Sequence, residues 1–465
     1  MTSEMESSLH DRLARLSALR PARRREPITE MRVREDADAL ATILGAEIRR
    51  NRYGEHMAAQ QWHADGEMCE PDRGVLRLLL PSGPRMPTAQ SERAIEQAAD
   101  PTRWLFLDTE TTGLAGGTGT YAFLVGLAWW DAGGLQIEQL FMRDHGEEHS
   151  LLLEIARRLR ERPVLVTFNG KSFDWPLLET RFRMTRTIEP PALAAHLDLL
   201  HPARQIWRPQ LGSVRLSDLE RGVLGGDALG WSRHDDIDSS RIPEFYFDYL
   251  RGGSAEPLAG VFRHNRMDLR GLAALAGRVF RTLAEPESIA SAPHASLELY
   301  GVSRWLGRRG ERRRACTLYE RALAAGLPPA VDHSARHELA RLARRERDFA
   351  RAAVLWSELA EAATPSFEAC EQLAIHYERR AADIEAAARV ARAALAKLRR
   401  AQRLGLIETH RHDYWLARFE QRLARLTAKC AGLSAGLGRT LESKMRASQS
   451  EKASIAQRRG AKQRD

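Results

Sequence analysis

The sequence has few cysteines and no long apolar run. Only 4 of its 465 residues are cysteine, and Cys69, Cys316, Cys370 and Cys430 lie far apart without a Cys-x-x-Cys pair. This distribution supports neither a zinc ribbon nor a disulfide framework, so we expect a reducing, cytoplasmic location. The longest apolar stretch, residues 122–130, is shorter than the roughly 18 residues that a membrane span needs. The N-terminus also lacks the apolar segment of a signal peptide, so we expect no membrane partner.

The composition indicates a folded, basic protein. Hydrophobic residues make up 43% of the chain and charged residues 29%, which is enough to bury a sizeable core and excludes wholesale disorder. The 71 lysines and arginines exceed the 62 aspartates and glutamates, giving a net charge of +9. This balance favours an anionic partner, nucleic acid first, although arginine-rich sequences often reflect solvated helix faces. The length suggests two or three domains.

The first 285 residues divide into two regions by composition. Residues 1–100 contain an arginine cluster and one strand-like run, Val75–Leu80, and we predict a poorly ordered leader with one or two strands. Residues 101–285 alternate short β runs with helical stretches. Their first three strands are close together and suit an antiparallel meander, whereas the later ones are separated by helices and suit parallel pairing. The sequence therefore predicts an α/β domain, a mixed sheet flanked by helices.

The C-terminal part predicts an all-α domain. Residues 295–430 are rich in alanine, leucine and arginine with almost no strand signal, and three similar segments place Ala315, Ala352 and Ala387 in matching positions. A period of about 34 residues with small residues on one helix face resembles tetratricopeptide repeats. A generic alanine-rich helical bundle is the alternative. Residues 438–465 are polar and basic, and we predict a disordered tail.

Two motif matches do not fit the structural context that their function requires. Residues 117–122 fit the Gly-x-Gly-x-x-Ala dinucleotide fingerprint, but they open a strand where that fingerprint requires a helix. His145 and His149 frame an His-x-x-Glu-His zinc pattern, but Gly146 lies inside it and its glutamates are typical of a helix N-terminus. We therefore expect neither a nucleotide site nor a zinc site there.

Carboxylates follow the predicted strands and one predicted helix face. Asp108 and Glu110 end a buried strand and, two residues apart, point to the same face. Asp174 falls in the first turn of a helix after the next buried strand, at the edge where open α/β sheets place their sites. His264 and Asp268, four residues apart, share a helix face. Each residue alone has a structural explanation, but together they favour one shared site.

Such a set of oxygen ligands favours divalent cations. Carboxylates are hard ligands that suit Mg²⁺ or Mn²⁺ rather than zinc. Two such ions about 4 Å apart clamp the attacking and leaving oxygens during phosphodiester hydrolysis. The sequence therefore predicts a site for two divalent ions, Mg²⁺ or Mn²⁺.

Three motifs carry a family resemblance. They read FLDTETTGL at 106–114, FNGKSFDWPLL at 168–178 and HNRMDLRGL at 264–272. They resemble the three motifs of DnaQ-like exonucleases of the DEDD superfamily, which have the ribonuclease H-like fold. The sequence between these motifs, including RHDDIDSSRIPEFYFDYLRGG at 233–253, is similar to that of the YprB-like branch of ribonuclease H-like proteins. Some members of this branch carry tetratricopeptide-like repeats after the nuclease domain.

The resemblance implies a 3′–5′ exonuclease site. By motif position Asp108, Glu110, Asp174 and Asp268 hold the metal ions, with Glu110 also counted as catalytic, and His264 orients or deprotonates the attacking water. The superfamily has a His-x-x-x-x-Asp and a Tyr-x-x-x-Asp type, and this chain departs from both by placing histidine at the tyrosine's spacing. Its role as a base or a water-positioning group therefore stays open. Further candidates for holding the site or the substrate are Thr111, Asn169, Asp198 and Asn265.

Two functions of different classes follow. The first is a metal-dependent exonuclease acting on single-stranded or frayed 3′ ends of DNA or RNA. The second is a catalytically weak nucleic-acid-binding or scaffold protein that acts through its helical repeats, which could also bind a protein partner. The presence of all four carboxylates favours the enzyme. No set of base-reading aromatic residues is evident, so the sequence does not separate DNA from RNA.

Overall fold

The computed structural model describes residues 38–430 except 65–67, 81–87, 114–118, 227–230, 232, 234–235, 290–294 and 363. The predicted disordered tail and the first 37 residues of the predicted leader lie outside the described residues. The described chain divides into two compact units, each built from segments that are not contiguous. The described residues of the first unit lie within 38–71, 82–199 and 224–277, and those of the second within 72–81, 200–223 and 278–430.

The first unit is built on one mixed sheet of seven strands. These are β1 (Ala46–Asn51), β2 (Gly54–His63), β3 (Trp104–Thr111), β4 (Ala122–Asp131), β5 (Gly134–Phe141), β6 (Val164–Thr167) and β7 (Ala195–Asp198). Their order in the sheet is β1-β2-β5-β4-β3-β6-β7. The first five pair antiparallel, whereas β6 runs parallel to both β3 and β7. The predicted mixed sheet, with a meander followed by parallel strands, is thereby confirmed.

Helices make up most of the remaining structure. In chain order they are α1 (Arg73–Leu79), α2 (Thr88–Ala98), α3 (Glu148–Glu161), α4 (Asp174–Thr185), α5 (Leu200–Leu211), α6 (Leu216–Leu219), α7 (Ile242–Leu250), α8 (Glu256–Ala284), α9 (Ala295–Arg308), α10 (Arg312–Ala324), α11 (Pro329–Arg345), α12 (Phe349–Glu361), α13 (Phe367–Arg379) and α14 (Ile384–Arg403). Residues 38–44 and 409–430 are also helical. Shorter turns of helix are Pro101–Arg103, His145–Glu147, Glu220–Leu224, Ser239–Arg241 and Pro286–Ser288. Within the described residues no helix combines the length and the apolar character that crossing a membrane requires.

The core of the first unit follows from the apolar strands. The four residues that begin β3 are buried, as are nine of the ten in β4. The β4–β5 hairpin turns at Ala132 and Gly133, both with positive φ, as a two-residue turn that matches the twist of the strands requires. Tyr246 of α7 stacks on Phe123 with ring centroids 4.1 Å apart, and its hydroxyl donates to the Met142 carbonyl. These contacts hold α7 against the sheet.

The segment predicted as a strand at Val75–Leu80 is a helix, so that prediction was wrong. The Asp72 side chain accepts a hydrogen bond from the Val75 amide at 2.9 Å and starts α1 at Arg73. Helix α1 then buries Val75, Leu76 and Leu78. A short apolar run without alternation does not distinguish a strand from a buried helix. Here the Asp72 N-cap favours the helix.

The second unit is all-helical in its described residues. Helix α5 packs against α9. The two backbones approach so closely at Gly301 that a Cβ there would lie only 2.0 Å from the Ile206 carbonyl oxygen. Helices α9 to α14 then pack successively. Ala315, Ala352 and Ala387 are fully buried in α10, α12 and α14. The predicted helical C-terminal region is confirmed, whereas its assignment to tetratricopeptide repeats stays a prediction.

Candidate active site

Two carboxylates stand at the end of β3. Asp108 and Glu110 follow its four buried residues and are themselves half-buried. The pairing of β3 with β4 shifts register between Glu110 and Thr111, and such a bulge re-aims side chains where a ladder ends. Thr111 lies beyond it and donates its hydroxyl to the Gly113 carbonyl.

A buried amide network fixes the position of Asp108. Asn265 of α8 donates from Nδ2 to Asp108 Oδ2 at 2.8 Å, while its own Oδ1 accepts from Gln139 Nε2 at 2.9 Å. Gln139 also donates to the Phe262 carbonyl at 2.8 Å. Asn265 reaches Asp108 only because Gly126 pairs with Asp108 across the sheet; a Cβ at Gly126 would lie 2.2 Å from Asn265 Oδ1. Sequence reasoning gave Gln139 and Gly126 no role.

The third carboxylate, Asp174, begins α4 after the turn that follows β6. Asp198, at the end of β7, holds this turn by accepting hydrogen bonds from the amides of Asn169 and Lys171 at 2.8 and 3.1 Å. It thereby fixes the turn in which Asn169 adopts a positive φ and from which α4 begins at Asp174. The Thr109 hydroxyl, on β3, donates to Asp174 Oδ1 at 2.5 Å. The structure thus brings Asp174 to β3 and places Asp198 and Asn169 in the turn that supports it.

Helix α8 supplies His264 and Asp268 to a chain of charged groups. His264 Nε2 lies 3.7 Å from Asp268 Oδ2, and its Nδ1 lies 2.9 Å from both oxygens of Asp236. Arg233 joins the two carboxylates, with Nη1 2.9 Å from Asp236 Oδ2 and Nη2 2.5 Å from Asp268 Oδ1. None of these four side chains is more than 20% exposed.

Sequence reasoning missed both Arg233 and Asp236. They lie in the segment 233–253 that carries the family resemblance, but in a stretch with no apolar periodicity that would place it against α8. The alternation of basic and acidic residues there was the one available signal. It gives no indication of which carboxylate contacts which cation.

Like charges meet at this site. Burial, then the charges of Asp268, Glu110 and Asp174, raise the pKa of Asp108 well above its usual range, although the Asn265 hydrogen bond opposes the shift. Burial and the charges of Asp268, Asp174 and Asp236 do the same to the pKa of Glu110. Burial also raises the pKa of Asp174, in spite of the Thr109 hydrogen bond. Bringing these groups together in their charged form therefore requires a cation.

The donor chemistry of the cluster fits a hard divalent cation. Asp108, Glu110, Asp174 and Asp268 offer only oxygen ligands, the kind that Mg²⁺ and Mn²⁺ prefer. Across the described residues no group of three or more His, Cys, Asp or Glu side chains is already arranged to hold a metal ion. Three of the four accept a side-chain hydrogen bond on one oxygen: Asp108 from Asn265, Asp174 from Thr109 and Asp268 from Arg233. These bonds hold the carboxylates in place and leave the second oxygen of each as a possible ligand.

Two comparisons with known proteins identify the family of the chain. Residues 105–280 match the RNase_H superfamily. The chain is 30% identical over 294 residues to a protein described as uncharacterized protein YprB of Bacillus subtilis (strain 168), a match that covers 63% of this chain and 68% of YprB. The superfamily match confirms the predicted ribonuclease H-like domain, and the likeness to YprB confirms the resemblance to the YprB-like branch.

A solved structure is also similar in part. It is the family B DNA polymerase from the hyperthermophilic archaeon Pyrobaculum calidifontis, 16% identical with a TM-score of 0.32. The similarity covers 46% of this chain and 29% of the polymerase chain.

Proposed function

The chain belongs to the family of YprB and contains a domain of the RNase_H superfamily, and on this basis we propose that it is a metal-dependent nuclease. The observation that carries the proposal is the set of four carboxylates in the first unit, three of which have raised pKa values because of burial and neighbouring charges. More finely, we propose a 3′–5′ exonuclease that hydrolyses single-stranded DNA or RNA, including frayed 3′ ends.

Four residues would hold the cofactor. Asp108, Glu110, Asp174 and Asp268 supply the oxygen ligands for two divalent ions, Mg²⁺ or Mn²⁺. Such ions, when bound, activate water and neutralise the charge that develops on the phosphate. Asn265 supports the set by holding one oxygen of Asp108.

His264 is the candidate for handling the proton of the attacking water. Its Nδ1 contacts Asp236, whereas its Nε2 faces the Asp268 carboxylate. Nε2 is therefore the ring nitrogen on the side of the proposed metal ligands. A general base at this position contributes on the order of 10²–10⁴-fold in rate. Positioning the water, the role open to a tyrosine at this spacing, would contribute less.

The alternative function has one observation in its favour. Arg233 occupies Asp268 Oδ1, and a permanent ion pair there would leave the ligand set incomplete. In that case the protein would be a weak nuclease that binds nucleic acid or acts as a scaffold. We propose that the helical second unit, with its tetratricopeptide-like segments, would then carry the main interactions, including one with a protein partner.

The wider setting of the function is also proposed. We place the exonuclease domain at residues 101–285 and the helical repeats at 295–430. None of the four cysteines forms a disulfide, which supports the proposal of a reducing cytoplasm.

The decisive test follows the products from each end of the substrate. Single-stranded DNA and RNA oligonucleotides labelled at the 5′ or the 3′ end are incubated with the protein and Mg²⁺ or Mn²⁺. A 3′–5′ exonuclease shortens the 5′-labelled strand stepwise and releases the 3′ label as a mononucleotide from the start. Binding without any metal-dependent shortening would support the scaffold function and refute the nuclease.

A further inference from the structure

Asp236 holds one nitrogen of the candidate catalytic histidine. Both of its carboxylate oxygens lie 2.9 Å from His264 Nδ1. The carboxylate is held by two further donors: Oδ1 accepts from the Ile237 amide at 3.0 Å, and Oδ2 accepts from Arg233 at 2.9 Å. The Asp236 side chain is 11% exposed. A carboxylate with three donors and little exposure is held in one orientation.

The backbone around Asp236 is also fitted to helix α8. Gly260 lies one helical turn before His264, and a Cβ at Gly260 would lie 2.8 Å from Ile237 Cγ2. The missing side chain therefore makes room for Ile237, which packs against the core of the first unit. Seating Ile237 on α8 places the preceding residue, Asp236, beside His264. This contact is independent of the hydrogen bonds to the carboxylate.

The chemistry of the pair decides which histidine nitrogen carries the proton. Asp236 pairs with the Arg233 guanidinium and accepts a hydrogen bond from the Ile237 amide, and both donors favour its ionised form. An ionised carboxylate only accepts hydrogen bonds, so the neutral imidazole must donate from Nδ1. Its Nε2 then carries the lone pair, on the side that faces Asp268.

We propose that Asp236 is a positioning residue that fixes the Nδ1–H tautomer of His264 and presents the unprotonated Nε2 to the reacting water. The inference rests on the proposed function, because it assigns the lone pair of Nε2 a role in the nuclease reaction. Carboxylates that hold a metal-ligating histidine are worth roughly 10–100-fold in metal affinity or activity, and we expect an effect of the same order for His264. A purely structural role, in which Asp236 only ties its loop to α8, is the competing explanation.

The first test reads the tautomer and requires no activity. The full-length protein is labelled with ¹⁵N-histidine, and the imidazole signals of His264 are assigned by their loss in His264→Gln. In the wild-type protein we expect a protonated Nδ1 and an unprotonated Nε2. Asp236→Ala should shift His264 toward the other tautomer, whereas Asp236→Asn, which keeps an acceptor oxygen and nearly the same shape, should recover part of the wild-type pattern. Asp248→Ala, an exposed aspartate on α7, serves as the matched control and should change nothing.

The second test reads catalysis. Asp236→Ala should lower kcat roughly 10–100-fold with KM nearly unchanged, and in the His264→Ala background it should have no further effect on kcat. An unchanged tautomer in the folded Asp236→Ala protein would overturn the proposal, as would an altered tautomer with full kcat. If the wild-type protein shows no nuclease activity, the proposed function fails, while the tautomer measurement still decides whether Asp236 positions His264.

Discussion

Replacing Gly126 by alanine should disturb the site through a single methyl group. The new Cβ would lie 2.2 Å from Asn265 Oδ1, 2.8 Å from Asn265 Cγ and 2.7 Å from Leu269 Cδ1. Asn265 is fully buried and held by Gln139, so it must move and give up its bonds to Gln139 and Asp108. Overpacking costs about 1–3 kcal/mol, and each lost hydrogen bond about 1 kcal/mol. We expect a loss of roughly 3–5 kcal/mol in the free energy of unfolding of the first unit.

Urea unfolding followed by tryptophan fluorescence measures this loss, with two controls. Gly277→Ala places the same methyl group in the same helix as Asn265, where nothing lies within 4 Å, and should stabilise by up to about 1 kcal/mol. Asn265→Ala removes the clashing side chain, so the Gly126→Ala/Asn265→Ala double variant should be less destabilised than the sum of the two single changes by about 1 kcal/mol or more. Strict additivity, or a neutral Gly126→Ala, would refute the close approach of α8 to β4.

Three further predictions concern stability, catalysis and domain structure. Glu138→Gln should cost about 3 kcal/mol, because Arg49 and Arg158 would each lose a buried carboxylate at 2.6 Å and keep only the exposed partners Glu47 and Glu161. Burial would raise the pKa of Glu138, but the bonds from Arg158, Arg49 and Gln60 lower it overall from 4.5. The stabilisation by Glu138 is therefore present above about pH 4.5 and is lost as the pH falls through the lower pKa of the folded state. In acid titrations followed by circular dichroism, the wild type should lose its stability advantage over the variant in that range, and a constant advantage down to strongly acidic pH would contradict this. His264→Ala should reduce kcat by on the order of 10²–10⁴-fold, and single-turnover assays should show partial recovery in His264→Tyr if the side chain only positions the water; wild-type turnover in His264→Ala would remove this residue from the site. A chain ending near residue 293 should be less stable than the full chain by calorimetry, because Ile206 and Trp207 of α5 are fully buried in a unit that includes α9; an unchanged melting temperature would show that α5 needs no partner.

The sequence was sufficient for the strands from β3 to β7 and for the strand ends that carry the candidate carboxylates, because both depend on local patterns; β1 and β2, which lie in the predicted leader, were not located. Apolar runs ending in Asp108 and near Asp174 identify strand ends, and strand ends of one α/β sheet meet at the same edge. The same reasoning gave His264 and Asp268 a common helix face. These predictions needed no knowledge of which strands are neighbours.

The rest of the site depends on contacts between distant segments. Gly126 is one small residue within an apolar strand, and its importance appears only once Asn265 packs over it. Arg233 and Asp236 lie in a loop without periodicity, 28 or more residues before their partners on α8. Side-chain pairing of this kind leaves no repeating signal in a single sequence.

The interleaving of the two units has the same cause. Helix α5 follows β7 directly in the chain, so its position suggests membership of the α/β domain, yet it packs against α9. The close approach is made possible by Gly301, about a hundred residues later. Composition changes along the chain cannot reveal that a segment packs with a distant region.

We propose above that the carboxylate cluster hydrolyses phosphodiester bonds with the help of divalent ions. The most direct measurement is the single-turnover rate of nucleotide release from a 3′-labelled single-stranded oligonucleotide as a function of Mn²⁺ concentration. The wild-type protein and the exposed control Asp248→Asn should show the same saturable, Mn²⁺-dependent rate, whereas Asp108→Asn and Asp174→Asn should be nearly inactive at every concentration. Equal rates in all four proteins, or no Mn²⁺-dependent release by the wild type, would contradict the claim.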